Sequence, residues 1–185
     1  MIGNIVAGVT YFEETIGDFE SIATVTVGAG GAANVEFSSI PSTYQHLQIR
    51  GIVRSSAASA SQNTLLRLNT DTAANYSTHY LTGNGTTAAS GAEANSTYIY
   101  AGALPAANTA SGRFEAFVID ILDYKDTNKY TTVRTLAGWD ANGTGLVALW
   151  SGSWRNTAAV NAIRLLPNTG NFIEFSSIAL YGIKG

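Results

Sequence analysis

The sequence predicts an all-β protein, a two-layer antiparallel β-sandwich of jelly-roll type with a short N-terminal arm. Three observations predict it. From Glu20 onward, short runs rich in Val, Ile, Thr, Tyr and Phe recur, clusters of Gly, Asn and Ser separate them, and no stretch carries a convincing helical period. An up-and-down barrel is the second architecture such a pattern allows. A chain of 185 residues holds one core, with residues 1–19 as the arm and 20–185 as the sandwich.

The arm comes first. Ile2, Ile5, Val6 and Val9 have a nominally helical spacing that Gly3 and Gly8 weaken, and Tyr11 and Phe12 follow. These side chains are poorly covered on a lone molecule, so Ile2, Ile5, Val6, Val9, Tyr11 and Phe12 are expected to anchor the chain on a partner; an edge strand or cap on its own domain is the alternative. The segment lacks the positive start of a signal peptide, and no stretch reaches the roughly 20 apolar residues that span a bilayer.

The first expected strands are 20–27 and 32–40, joined as a hairpin through Gly28-Ala29-Gly30-Gly31, with Pro41 ending the second. The clearest alternation follows: Leu47, Ile49, Gly51 and Val53 point one way, and His46, Gln48, Arg50 and Arg54 the other, so one face is core and one is wet. Further strands are expected at 64–69, 76–82, 96–102, 114–124, 130–139, 145–151, 160–166 and 172–183, which makes about ten. Asn84-Gly85, Asn142-Gly143 and Asn168-Thr169-Gly170 supply turn chemistry, and 55–63 and 83–95 read as low-complexity loops.

Composition narrows the function. Only 12% of residues are charged, and 10 basic against 13 acidic side chains leave no surplus for phosphate, so nucleic acid is not an expected partner, nor is a membrane. Without cysteine there is no disulfide framework or thiolate nucleophile. His46 and His79 lie among polar neighbours and read as ordinary half-exposed histidines; no G-x-S-x-G elbow occurs; and Gly83–Ala88 mimics a dinucleotide fingerprint without a helix to follow. Asp120, Asp123, Asp126 and Asn128 gather oxygens, but the spacing matches no calcium loop, and 123–128 reads as a hairpin turn. No enzymatic activity, cofactor or metal is therefore expected. Trp139, Trp150 and Trp154 beside loop asparagines allow one alternative, a glycan-binding surface, although Trp150 within LVALWS reads more economically as a core or intersubunit aromatic.

Three segments carry a resemblance: FESIATVTVGAGGAANVEFSSIPSTYQHLQIRG (19–51), FEAFVIDILDYKDTNKYTTVRTLAGWDANG (114–143) and FIEFSSIALYGIKG (172–185). They resemble virion β-sandwich proteins of tailed bacteriophages, including cyanobacterial phages, which serve as capsid decoration (cement) proteins or as heads of tail fibres. The resemblance implies a structural protein on the outer capsid surface, soluble in the host cytoplasm before assembly, that clamps neighbouring major capsid protein subunits as a homo-oligomer, expected to be a homotrimer. A fibre head recognising cell-surface glycans is the alternative; a start at Met1 with only a short arm favours decoration.

Overall fold

The computed structural model describes residues 18–185. Twelve strands fill them: β1 (Phe19–Thr26), β2 (Val35–Phe37), β3 (His46–Val53), β4 (Ser61–Leu68), β5 (Tyr76–Gly83), β6 (Ala88–Ser96), β7 (Ile99–Pro105), β8 (Glu115–Leu122), β9 (Thr131–Asp140), β10 (Gly145–Trp154), β11 (Ile163–Pro167) and β12 (Ser177–Ile183). They form two antiparallel sheets packed as a sandwich, eight strands in the order β1-β12-β3-β8-β9-β10-β5-β6 and four in the order β2-β11-β4-β7. No described residue is helical.

Alternation builds the core as expected. Leu47, Ile49 and Val53 of β3, Ile119 and Ile121 of β8 and Leu180 of β12 are buried between the layers, against Leu66 and Leu68 of β4, Ile99 of β7 and Ile163 and Leu165 of β11. Gly51 keeps the β3 phase without a side chain because the Phe117 ring of the paired strand occupies that space. At the β9–β10 connection Asn142 and Gly143 take φ of 57° and 98°, the left-handed pair that matches the twist of a tight hairpin. The last strand, β12, lies between β1 and β3, inside the larger sheet.

Four expectations need correction. β1 and β2 are not a hairpin: β1 pairs with β12 in the larger sheet and β2 with β11 in the smaller, so the glycine run turns a corner between layers. The segment 83–95 is not all loop. β6 pairs with β5 through a turn in which Asn84 Oδ1 accepts the N–H groups of Thr86 (3.0 Å) and Thr87 (2.8 Å), so backbone pairing makes a strand that side chains do not announce. β6 brings the count to twelve rather than about ten, while β2 is cut to three residues and Phe172 makes only isolated bridges before β12. Arg54 does not face water. β3 ends at Val53, and the guanidinium beyond it is buried, donating to the carbonyls of Thr109 (2.6 Å), Ala110 (3.1 Å) and Arg113 (3.0 Å) in the β7–β8 loop. Those acceptors offset the desolvation of a buried cation; burial first, and then Arg113, lower its pKa.

Candidate interaction surface

The outer face of the larger sheet, away from the smaller one, is where the chain departs from an ordinary sandwich. Register aligns Leu81 (β5), Leu149 (β10), Leu136 (β9) and Val118 (β8) in one row that continues to Arg50 (β3). The neighbouring row runs Ala88, Gly83, Val147, Gly138, Ala116, Ile52. A third row, Ala92, His79, Ser151, Arg134, Asp120, Gln48, is mostly polar. Ile52, Leu81, Leu136, Val147 and Leu149 are each more than half exposed, and they are five of the eight large apolar side chains exposed among the described residues. Shallow grooves of about 620, 390 and 330 Å³ run between them.

A sheet with one solvated face normally alternates apolar inward and polar outward. Here β10 is apolar on both faces from Leu146 to Trp150, and Leu136 of β9 and Val118 of β8 extend its outer surface. At about 4.8 Å per strand, the first row is apolar over four strands and the second over six, together roughly 330 Å². That is comparable with the largest patch on a typical monomer and close to half of the ~800 Å² that a standard interface takes from each partner. Charge at the margin is balanced: Arg50 and Arg134 against Asp120 and Asp140. Arg50 lies 5.0 Å over the Phe19 ring and 5.6 Å over Tyr181, which stack on each other at 4.8 Å, and Asp120 accepts Gln48 Nε2 at 2.8 Å.

The residues singled out by sequence fall elsewhere. Ile2, Ile5, Val6, Val9, Tyr11 and Phe12 lie outside the described residues. Trp150 and Trp154 are buried, Trp154 stacked on Tyr76 with its indole N–H donated to Asp71 at 2.8 Å, and Trp150 lining a small cleft with Tyr80 and Tyr100. Trp139 is half-buried beside the β5–β6 and β9–β10 hairpin tips, its indole N–H without an acceptor among the described residues. The three tryptophans therefore make no common platform.

The chemistry-bearing groups are dispersed as well. β3 with His46 and β5 with His79 are separated by three strands, about 19 Å at the usual spacing. His46 Nδ1 accepts the Asp123 N–H at 3.0 Å, and His79 is exposed. Asp123 to Asn128 forms the expected turn, with Asp126 Oδ1 accepting the Asn128 N–H at 2.8 Å, and Lys129 bridges Asp123 and Asp126. Its ammonium, together with the Gln45 amide, holds the Asp123 carboxyl below the usual range. No three His, Cys, Asp or Glu side chains converge as a metal set among the described residues. Gly83–Ala88 leads into β6, not a helix. Among the described residues no helix is long and apolar enough to cross a membrane.

The fold and this face define a β-sandwich with an apolar sheet surface that none of the described residues covers. No family model, curated protein or solved structure matches the chain.

Proposed function

We propose that this chain is a non-enzymatic structural protein of a tailed-phage virion, a decoration protein of the outer capsid that clamps neighbouring major capsid subunits as a homo-oligomer, with a trimer as the expected form. The observation that carries the adhesive part of this reading is the apolar outer face of β5, β10, β9 and β8. The fold does not need that face apolar, and water penalises it, so a covering partner is its physical rationale.

The occupant we assign is a second copy of the chain. A margin with two positive and two negative side chains meets its own copy without net repulsion, whereas a strongly acidic or basic partner would gain nothing from it. The virion context rests on the resemblance of segments 19–51, 114–143 and 172–185 to tailed-phage β-sandwich proteins, which serve as decoration proteins or tail-fibre heads, and the outer capsid is the location we favour. The apolar side chains of residues 1–12 are assigned the contact with the shell.

The test is co-sedimentation with assembled capsids, followed by low-resolution electron microscopy. The reading expects density of this protein on the outer shell, lost when residues 1–17 are deleted although the sandwich stays folded. Density at a tail tip, or binding that survives the deletion, contradicts it.

A further inference from the structure

The larger sheet has twice as many strands as the smaller, so its inner face runs past the edge strand β7. There β10, β5 and β6 face a cleft of about 280 Å³ instead of the core. Trp150 contributes to its lining together with Tyr80 and Tyr100, and Glu93 and Asn63 supply polar groups. Tyr98 reinforces Tyr100, edge to face at 5.2 Å between ring centroids, with their hydroxyl oxygens 3.3 Å apart. Thr78 Oγ1 accepts the Tyr100 N–H at 3.2 Å, which fixes β7 against β5 at this point. Gly91, opposite Tyr80 in the β5–β6 pair, leaves the space that the Tyr80 hydroxyl fills; a Cβ there would collide with it. The walls are thus held from both sheets.

Charge selects the ligand. Glu93 is the one carboxylate lining the cleft, no Lys or Arg lines it, and among the described residues Glu93 makes no ion pair or hydrogen bond. The Tyr100 phenol stays neutral, pushed up to about 12 by its hydrogen bond with Tyr98, by burial, and by the nearby charges that include Glu93. The cleft therefore carries a net negative charge beside π-faces, which attract cations. An anion is repelled, and a neutral sugar leaves the carboxylate uncompensated.

We infer that this cleft binds a small organic ammonium group, held between Tyr80, Tyr100 and Trp150 with Glu93 as its counter-ion. Its volume sits at the lower end of small-ligand sites, which suits one head group. The same chemistry is offered by a free quaternary amine and by a lysine side chain of a protein partner. This inference is independent of the outer face and of the virion reading.

The experiment is a titration of the full chain, at constant ionic strength, with choline, with n-butylammonium as a lysine mimic, and with 3,3-dimethylbutan-1-ol as the neutral isostere of choline. Amide shifts of Gly91 and Tyr100 are followed by NMR. Saturable shifts with an ammonium, absent with the alcohol, are expected; preference for choline or for n-butylammonium identifies the source. Glu93→Gln should weaken binding about tenfold, Tyr100→Ala should abolish it, and Tyr100→Phe, which keeps the ring, should retain it. Glu93→Gln is the decisive variant because the exposed carboxylate has no partner whose loss could unfold the chain. No saturable shift, equal binding of the alcohol, or unchanged affinity in Glu93→Gln overturns the proposal.

Discussion

The two faces of β8, β9 and β10 make the instructive comparison. Inward, Phe117, Ile119, Ile121, Val133 and Ala148 are buried against the smaller sheet. Outward, Val118, Leu136, Val147 and Leu149 are also apolar, yet no described residue covers the last three, each more than half exposed. The inner face explains why the chain folds. The outer face must be explained by something the folded sandwich meets.

Stability should separate the two faces by the widest margin. Ile119→Ala, inside, is expected to cost about 3 kcal/mol through lost burial and a residual cavity, whereas Leu136→Ala, outside, should change monomer stability by no more than about 0.5 kcal/mol. Denaturant unfolding at a concentration too low for association checks both. A large loss at Leu136 would mean that the outer face belongs to the fold after all.

The inner side also carries a fully buried carboxyl group. Glu115 is fully buried on β8, accepting the Ala103 N–H at 2.6 Å and the Thr64 hydroxyl at 3.2 Å. Burial pushes its pKa up to about 8 from the ordinary 4.5, and the two hydrogen bonds only partly oppose that. Between those values the folded protein keeps a proton that the unfolded chain has released. Stability from this group is therefore complete below pH 4.5 and declines as pH rises towards 8, by about 1.4 kcal/mol per pH unit. Glu115→Gln, whose amide can accept from Ala103 and donate to Thr64, should remove that decline and be the more stable protein at pH 8. Thermal melts from pH 5 to 8 read the slope; a wild-type profile parallel to that of the variant would refute the assignment.

The smallest effect is expected on the rim. Lys129→Ala removes the bridge to Asp123 and Asp126, but the lysine is largely exposed, so the melting temperature should scarcely move, and less at high salt. A marked loss would show that this turn, rather than the β8 and β9 strands it joins, holds the hairpin.

What could be read from sequence follows the same division. Inward-facing residues of β3 were legible because a period of two survives in one short stretch, Leu47, Ile49, Gly51, Val53. Asn142-Gly143 was legible because few residues tolerate that backbone. β6 was not: Ala-Ala-Ser-Gly-Ala-Glu-Ala-Asn-Ser carries no apolar period, and an edge strand needs none when its partner supplies the hydrogen bonds. The glycines at 28–31 misled because the same backbone freedom serves a corner between layers as well as a hairpin. Arg54 broke the alternation because its partners are carbonyls of a loop more than 50 residues away.

The outer face was hidden for a different reason. Leu81, Leu136 and Leu149 become neighbours only through strand register, and no local pattern joins them. One hint existed: LVALW in β10 is continuously apolar where a half-solvated strand should alternate, which marks a strand covered on both sides. The cleft on the inner side was no more visible, since Tyr80, Glu93 and Tyr100 meet only because one sheet overhangs the other.

The most direct measurement is the solution mass of the wild-type chain beside a Leu136→Glu, Leu149→Glu double variant, by light scattering across micromolar concentrations. The account predicts an oligomer for the wild type and a monomer with unchanged circular dichroism and melting for the variant. A wild type that stays monomeric throughout, or a variant that associates as the wild type does, would contradict it.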